Sequence, residues 1–363
     1  MKILLLGDYS GFHKNLKDGL MELGYKVDLA TSGDGYKKTS KSDLIYPTSR
    51  KGLMQKIDML TFPFGGIKHY YNYDSVQLIG PVPFGSLKFN YNYRLIESIK
   101  KRSGKLFLSS CGSNYFVYKI RKELRYNYLD PTIKYDLNGN NPFTKKKYIN
   151  NNIEIANLVD GIIPTLFTYA EAFRSHPKLL NTIQFPVNIN KIQFTPQNIK
   201  NNKLKIFHGI TREGFKGSKY IIEAMNRLKE KYPNDVEILI DGKMPLDKYL
   251  SVLNETNVVI DQALSYEYGM NAVFSMAMGK VVLSGNEQEN QEEFKRSDIP
   301  VINILPSSDD IYNKLEKLVL NKKGIVEIGE KSRLFVEEFH NHIEVAQKYI
   351  DTWNSVEVKN KNG

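Results

Sequence analysis

The sequence is poor in cysteine, since Cys111 is the single cysteine among 363 residues. One cysteine forms neither an internal disulfide nor a cysteine-based zinc cluster. A chain of this length buries enough apolar surface to fold without such cross-links. An ordinary apolar core must therefore hold the fold.

Long apolar runs are also missing. The first apolar run, at residues 3–6, stops at Gly7 and Asp8. It is too short for a secretion signal, and no later run approaches the ~20 residues of a membrane-spanning helix. We therefore expect residues 3–6 to form a buried strand in a cytoplasmic protein.

Negative charge is in deficit, with 40 Asp and Glu against 51 Lys and Arg and a formal net charge of +11. This excess favours an anionic partner, which can be nucleic acid, anionic lipid or a phosphorylated small molecule. The basic residues are dispersed through both halves and no DNA-binding motif is present, so we expect no nucleic-acid partner.

Several catalytic signatures are absent as well. The chain contains no G-x-G-x-x-G dinucleotide fingerprint and no G-x-S-x-G nucleophile elbow. His340 and His342 are two positions apart, which is not the i, i+4 spacing of two metal ligands on one helix face. We expect no metal site and no bound cofactor.

Apolar strands alternate with amphipathic helices through most of the chain, which predicts an α/β fold with doubly wound parallel sheets. The alternation pauses in a polar linker at residues 188–202 and then restarts, so we expect two Rossmann-like domains facing across a ligand-binding cleft. We place the domains at 1–190 and 191–342, with a final helix at 343–363 packing back on the first. The predicted strands are residues 2–6, 26–30, 75–79, 105–109, 161–164, 182–185, 205–208, 236–240, 257–261 and 280–283.

A glycine-containing loop at residues 7–11 follows the first predicted strand and precedes a helix. Glycine lets the backbone approach a ligand, and the following helix directs its N–H groups to the same place. We predict that Gly7 and Gly11 contact a phosphate or a sugar, with a plain strand-to-helix turn as the alternative. The irregular run at 127–147 is interpreted as a loop, either a mobile cover of a site or a surface insertion.

A second loop, at residues 208–217, follows the first strand of the second half. Its Arg212 offers a fork of donors and its Lys216 a compact charge, a pair that suits a diphosphate. Gly209 belongs to the same candidate site. Two solvated loop cations are the alternative, and Ser218 is predicted to cap the helix that follows.

A third loop, at residues 261–269, joins a strand to an apolar helix predicted at 270–278. The helix N-terminus can meet a phosphate, and Glu267 can accept hydrogen bonds from sugar or ribose hydroxyls. The other donor-binding candidates in this segment are Asp261, Gln262, Tyr268, Gly269, Met270 and Asn271.

Several segments together resemble the retaining GT-B glycosyltransferases of the group 1 family, glycosyltransferase family 4. The run P-V-N-I-N-K-I-Q-F-T-P at 186–196 is similar to the family's P-N-G-V-D-x-x-x-F-x-P crossover. Arg212 with Lys216 and Gly217 resembles its G-R-x-x-x-x-K-G loop, and residues 268–280 resemble its F-G-x-x-x-x-E-A-M-A-x-G-x-P segment. The resemblance covers nearly the whole chain and is looser in the first half, where residues 7–11 and 111–114 resemble a glycine loop and a G-x-D-type loop.

This resemblance implies a GT-B fold and transfer of a sugar from a nucleotide-diphosphate sugar, UDP- or GDP-linked, to a glycan or lipid-linked acceptor. It implies retention of configuration and a role in surface polysaccharide biosynthesis. Arg212 and Lys216 would bind the departing diphosphate and Glu267 the sugar. The chain has no Asp-x-Asp pair, which agrees with a metal-independent enzyme. The acceptor-side candidates are His13, His69, Ser113 and Asn114.

The chain departs from the family pattern at two glutamates eight positions apart, where it has Tyr266 and Phe274. Phe274 cannot accept a hydrogen bond, and Glu267 lies one residue from the first position. Two alternatives stay open: a non-catalytic sugar-nucleotide-binding or scaffold subunit of a glycan assembly complex, and a GT-B sugar-nucleotide epimerase. A lipid-linked acceptor implies peripheral contact with the inner membrane face, for which the basic and aromatic residues at 115–147 are candidates.

Overall fold

A computed structural model describes residues 1–33, 40–47, 52–242, 244 and 246–357. Internal contacts divide the chain into two compact units. The first contains Met1–Lys119, Pro142–Asn188 and the chain from His342 onward, and the second contains Ile120–Asn141 and Ile189–Asn341. Residues 120–141, which the sequence analysis assigned to the first domain, therefore pack with the second unit.

Each unit contains a parallel sheet that has five strands in the described part of the chain. In chain order the strands are β1 (Lys2–Leu6), β2 (Lys26–Ala30), β3 (Ser75–Leu78), β4 (Lys105–Ser110), β5 (Gly161–Pro164), β6 (Leu204–Gly209), β7 (Val236–Asp241), β8 (Val258–Ile260), β9 (Val281–Ser284) and β10 (Val301–Asn303). The order is β2-β1-β3-β4-β5 in the first sheet and β10-β9-β8-β6-β7 in the second. Both are doubly wound α/β sheets, as predicted.

The helices connect the strands and cover the sheets. They are α1 (Phe12–Glu22), α2 (Leu53–Thr61), α3 (Tyr91–Lys101), α4 (Tyr115–Ile120), α5 (Leu129–Pro131), α6 (Lys146–Leu158), α7 (Phe167–Glu171), α8 (Ser218–Lys231), α9 (Leu246–Glu255), α10 (Met270–Ala277), α11 (Gln288–Phe294), α12 (Ser308–Leu320), α13 (Gly324–Phe339) and α14 (His342–Ser355). A π-helical turn, Thr132–Asp136, follows α5.

The core of the first unit lies between its sheet and helices. Ile3, Leu4, Leu5 and Leu6 of β1 are fully buried because helices cover both faces of the sheet. α14 packs on α1 so closely that a β-carbon on Gly19 would lie 2.1 Å from the His342 carbonyl oxygen. This contact makes the last described helix part of the first unit.

Three details of the sequence analysis are wrong. Residues 182–185 form no strand: only the Ile183 N–H bonds to the end of β5, at 2.9 Å from the Pro164 oxygen, and residues 178–180 lie beside the start of β5, where Leu180 donates to the Ile162 oxygen at 2.8 Å. Buried side chains such as Ile183 gave that segment its strand-like pattern. The short strand β10 was missed. Ser218 is the first residue of α8 and not its cap, which is Gly217 in the left-handed conformation at φ +72°.

Candidate functional site

The loop after β1 turns sharply at two glycines. Gly7 has φ +82° and Gly11 has φ +80°, a conformation that glycine adopts without strain. A β-carbon on Gly7 would lie 2.4 Å from the Ile79 side chain, so the packing also requires glycine there. Asp8 accepts a hydrogen bond from the His13 backbone N–H at 2.8 Å, which ties the loop to the first turn of α1.

The loops after β1, β3 and β4 meet around one tyrosine. A β-carbon on Gly80 would lie 3.2 Å from the Tyr9 hydroxyl oxygen, and one on Gly112 would lie 3.7 Å from its ring. These loops follow neighbouring parallel strands, whose carboxyl ends are the usual ligand edge of such a sheet. The sequence analysis included Tyr9 only as part of the 7–11 loop and did not single out Gly80, because only the strand order brings these residues beside residues 111–114.

The acceptor-side candidates differ in how their side chains are used. Asn114 accepts hydrogen bonds from the N–H groups of Phe116 at 2.8 Å and Val117 at 3.1 Å, so it caps α4. The Ser113 carbonyl accepts from the Tyr148 hydroxyl at 3.5 Å. His69 is exposed.

His13 is fully buried. Its Nδ1 lies 2.6 Å from the Gly7 carbonyl oxygen, which can only accept, so Nδ1 carries the proton. Burial lowers the pKa of His13 from 6.5 to about 3, although the Gly7 hydrogen bond opposes the shift. The imidazole is therefore neutral at physiological pH.

In the second unit, a buried ion pair joins the second and third candidate loops. The Lys216 ammonium lies 3.0 Å from Asp261 Oδ1, and both side chains are buried. Asn271 donates to the same oxygen at 3.1 Å, and the Gly269 N–H donates to Oδ2 at 3.4 Å. Burial alone would raise the pKa of Asp261, but Lys216 and these donors hold it below its usual value. Asp261 is therefore ionised and fixes Lys216.

Arg212 has a different environment. Its side chain is exposed, and its guanidinium lies 3.8 Å from the centre of the Phe215 ring. No hydrogen bond or ion pair joins it to the residues that the structure describes. The stacking orients a cation whose donors are available to a ligand. Gly209 is the last residue of β6 and lies at the start of this loop.

Glu267 and its neighbours lie inside the third loop. Ser265 donates to Glu267 Oε1 at 2.9 Å, and Gln262 donates to the Glu267 carbonyl oxygen at 2.9 Å. Glu267 is only 1% exposed, so a sugar would reach it only in the interior of the loop.

Tyr268 and Phe274, a donor-binding candidate and a departure from the family pattern, lie in different environments. Tyr268 is fully buried, with its hydroxyl 3.1 Å from His340 Nε2. Phe274 is half-buried on α10. Met270, at 9% exposure, is the first residue of that helix.

Sequence reasoning missed a contact between residues 125–126 and Tyr266. The Tyr266 hydroxyl accepts from the Arg125 backbone N–H at 2.7 Å, and the Tyr126 ring stacks on Tyr266 with 4.9 Å between ring centres. The only available signal was the density of aromatic and basic residues at 115–147, which does not identify what they contact.

The described ranges contain no group of three or more His, Cys, Asp and Glu side chains placed to hold a metal ion. No helix among the described residues has the length and apolar character needed to span a membrane.

The fold matches that of several solved glycosyltransferase structures. Sucrose-phosphate synthase from Thermosynechococcus elongatus has a TM-score of 0.63 at 13% identity, over 98% of each chain. HepE from Anabaena, in complex with UDP-glucose, has a TM-score of 0.60 at 13% identity, over 98% of this chain and 100% of that one. A Rickettsia africae glycosyltransferase has a TM-score of 0.57 at 13% identity, over 99% and 98%.

These likenesses place the chain in the GT-B fold class. No family model matches the sequence, and no curated protein matches it either. This chain and the three solved structures therefore share a fold at low sequence identity.

Proposed function

We propose that this protein transfers a sugar from a nucleotide-diphosphate sugar to an acceptor. The observation that carries the proposal is the exposed Arg212 guanidinium, which is on the same loop as Lys216. Lys216 is ion-paired with Asp261 of the third loop, and Asp261 accepts from Gly269 and Asn271 at the start of α10. Negative charge develops on the diphosphate as it leaves, and fixed cations and N–H groups stabilise it. Lys216 has three donors and gives one to Asp261, so it can share the others with a phosphate.

The donor that we expect first is uridine-linked. HepE, which shares the fold, was solved with UDP-glucose. A GDP-linked donor is the second candidate, and a panel of sugar nucleotides separates the two. The resemblance of residues 186–196 and 268–280 to the group 1 family supports family 4 chemistry with retention of configuration.

The acceptor in this proposal is a glycan or a lipid-linked intermediate of surface polysaccharide biosynthesis. The loops around Tyr9 in the first unit are the proposed acceptor side. Gly7 and Gly11 stay proposed donor-binding residues, because their conformation lets a phosphate or a sugar approach the backbone.

Peripheral membrane contact at the cytoplasmic face is part of the proposal, and α2 is the surface that supports it. Leu53, Ile57 and Leu60 of α2 are 72%, 42% and 71% exposed and recur at helical spacing. Phe64, in the turn after α2, is 83% exposed and extends this apolar stripe. Exposed Lys56 adjoins this stripe, as is typical of helices that lie on anionic lipid. Tyr126 and Tyr128, which the sequence analysis had grouped with a membrane surface, pack instead on the second unit.

Arg212→Ala tests the assignment of the diphosphate site. We expect kcat/KM to fall at least tenfold, about 1.4 kcal/mol of transition-state stabilisation. The measurement is sugar transfer, or slow donor hydrolysis, with UDP- and GDP-sugars. Because Arg212 is exposed, its loss should leave the melting temperature within about 1–2 °C of the unaltered protein. Unchanged kcat/KM would remove Arg212 from the site.

Lys216→Ala is a weaker test, because it leaves Asp261 charged and buried. Breaking a buried pair in this way costs about 3–5 kcal/mol of folding stability. Lys216→Ala combined with Asp261→Ala removes both charges. Its activity can be compared with that of the unaltered chain once folding is verified by circular dichroism.

A second candidate function is a non-catalytic subunit that binds the sugar nucleotide. Tyr266 occupies one of the family's glutamate positions, and its hydroxyl is bonded to Arg125. Calorimetric binding of a nucleotide sugar, without hydrolysis or transfer to any glycan acceptor, would favour this function.

A further inference from the structure

Residues 120–141 interrupt the first unit in sequence and belong to the second; we call this segment the strap. Its first anchor is at the third loop. The Arg125 backbone N–H donates to the Tyr266 hydroxyl at 2.7 Å, and the Arg125 guanidinium lies 5.1 Å from the Tyr266 ring centre. Tyr126 stacks on the same ring at 27° between planes. Tyr266 is thus held between two consecutive strap residues.

The same arginine extends the anchor to α11. Its guanidinium donates to Glu287 at 2.7 Å and to Glu289 at 3.0 Å. The Glu287 N–H in turn donates to the Tyr266 carbonyl oxygen at 2.9 Å. Arg125 therefore bonds to Tyr266 in the third loop and also to Glu287 and Glu289 at the start of α11.

The second anchor of the strap is at the loop that carries Arg212. Asp136 accepts from the Gly214 N–H at 3.2 Å, and the Tyr128 ring lies 4.5 Å from Phe215, the residue on which Arg212 stacks. The strap also passes so close to Gly214 that a β-carbon there would lie 2.3 Å from the Pro131 carbonyl oxygen.

We infer that the strap is a positioning element that fixes the spacing between the two loops proposed to bind the donor. Its two anchors lie on these two loops, which are otherwise joined through the Lys216–Asp261 pair and the Ala263 N–H bond to the Lys216 oxygen. Groups that bind a ligand must be held to within about 0.5 Å, and loops achieve this only with outside support. Arg125 and Tyr126 act through Tyr266, and Tyr128 acts through Phe215, so none of the three acts on the ligand directly.

This inference also gives Tyr266 a role. The tyrosine provides an aromatic face for Tyr126 and a hydroxyl that accepts from Arg125, which a glutamate at that position could not do together. The departure from the family pattern is therefore linked to the presence of the strap. The inference rests on the proposed function, because its readout is nucleotide binding.

The test measures UDP binding by calorimetry for the full chain and for Arg125→Gln. The substitution removes the ion pairs, in which Arg125 is exposed and Glu287 nearly buried, and the cation over Tyr266. We expect UDP to bind about five-fold more weakly, which corresponds to about 1 kcal/mol. Tyr266→Phe, which keeps the ring and removes the hydroxyl, should weaken binding in the same direction. Arg227→Gln is the matched control, since Arg227 has an ion pair to Asp309 at 2.6 Å and a ring contact to Tyr312 at 4.7 Å in the same unit.

A double-mutant cycle distinguishes positioning from general stability. If the strap acts through the Arg212 loop, Arg125→Gln should cost less than about two-fold in UDP affinity when Arg212→Ala is already present. Equal losses in both backgrounds would overturn the inference, as would unchanged UDP binding by Arg125→Gln. Failure of the unaltered chain to bind any of UDP, UDP-glucose or GDP would overturn the proposed function and the inference with it.

Discussion

His208 is a fully buried histidine at the end of β6, and both of its ring nitrogens are bonded. Nδ1 lies 2.8 Å from the Ile260 carbonyl oxygen and must donate, so Nε2 accepts from the Ser218 hydroxyl at 2.9 Å. Burial first, and then the Lys216 charge, lower the pKa of His208 from 6.5 to about 4. The neutral imidazole links Ile260 of β8 to Ser218 at the start of α8, the helix that follows the Arg212 loop.

Acid should therefore destabilise the protein through His208 and His13. Above pH 6.5 both are neutral in the folded and unfolded states, so they add no pH dependence. As pH falls below 6.5 the unfolded chain binds protons that the folded one excludes, and the free energy of unfolding drops by about 1.4 kcal/mol per pH unit for each histidine. The drop continues to about pH 4 for His208 and about pH 3 for His13.

Urea unfolding between pH 6 and pH 5 measures this slope. His208→Gln should make it shallower by about 1.4 kcal/mol per pH unit, whatever the variant's stability at pH 7. His69→Gln changes an exposed histidine and serves as the control. Equal slopes for His208→Gln and the unaltered chain would mean that His208 is protonated in the folded state.

At the scale of residues, the sequence predicts where the candidate side chains lie along the chain but not which of them contact each other. The position of Arg212, Lys216 and Asp261 in loops that follow buried strands was predictable from the apolar runs before them. Their pairing was not, because the bond between Lys216 and Asp261 joins residues 45 positions apart. Whether these side chains bind a donor stays a prediction.

At the scale of elements, α2 is unusual because none of its described side chains is buried. Insertion of its apolar stripe into a bilayer would contribute about 1.5–3 kcal/mol for each side chain that becomes fully buried. The chain should thus sediment with vesicles of phosphatidylglycerol and less with phosphatidylcholine, since Lys56 adds attraction to anionic headgroups.

Binding to the vesicles should fall at least tenfold, about 1.4 kcal/mol, in a triple variant that combines Leu53→Ser, Leu60→Ser and Phe64→Ser. These positions are the most exposed of the stripe, so the triple variant should remain folded. The matched control is Leu320→Ser, Val326→Ser and Leu334→Ser, which replaces exposed apolar residues of the second unit. Equal loss in both variants would contradict a membrane role for α2.

Most elements were predictable from periodicity, because buried parallel strands appear as short apolar runs between amphipathic helices. The exceptions had physical causes. β10 is three residues long and follows Pro300, too short for a periodic signal. The strap gave only a loop signal, since its contacts, such as Arg125 with Tyr266, span 141 positions.

At the scale of the whole molecule, α14 completes the first unit. Trp353 is fully buried and donates to Gln77 at 2.9 Å, while Tyr349 packs against Phe12 with 6.3 Å between ring centres. Four buried side chains of this helix, including Val345 and Ile350, would together contribute about 6–12 kcal/mol, comparable to the stability of a typical domain.

A chain ended at Asn341 should therefore lose a stable first unit. Limited proteolysis read by mass spectrometry should show rapid cleavage within residues 1–119 while residues 204–341 stay protected. A chain ended at Glu357, which retains α14, is the control. Equal protection of residues 1–119 in both chains would show that α14 is dispensable for folding.

The interleaving of the two units also has a consequence for biosynthesis. A ribosome adds about 150 residues of the second unit before it reaches the helix that covers α1, which takes about 8–30 s at typical elongation rates. During that interval the part of α1 that packs on α14 has no partner, and the strap has no contact with the second and third loops until they are made. Nascent chains should consequently need protection by chaperones, and the first unit, although begun first, is completed last.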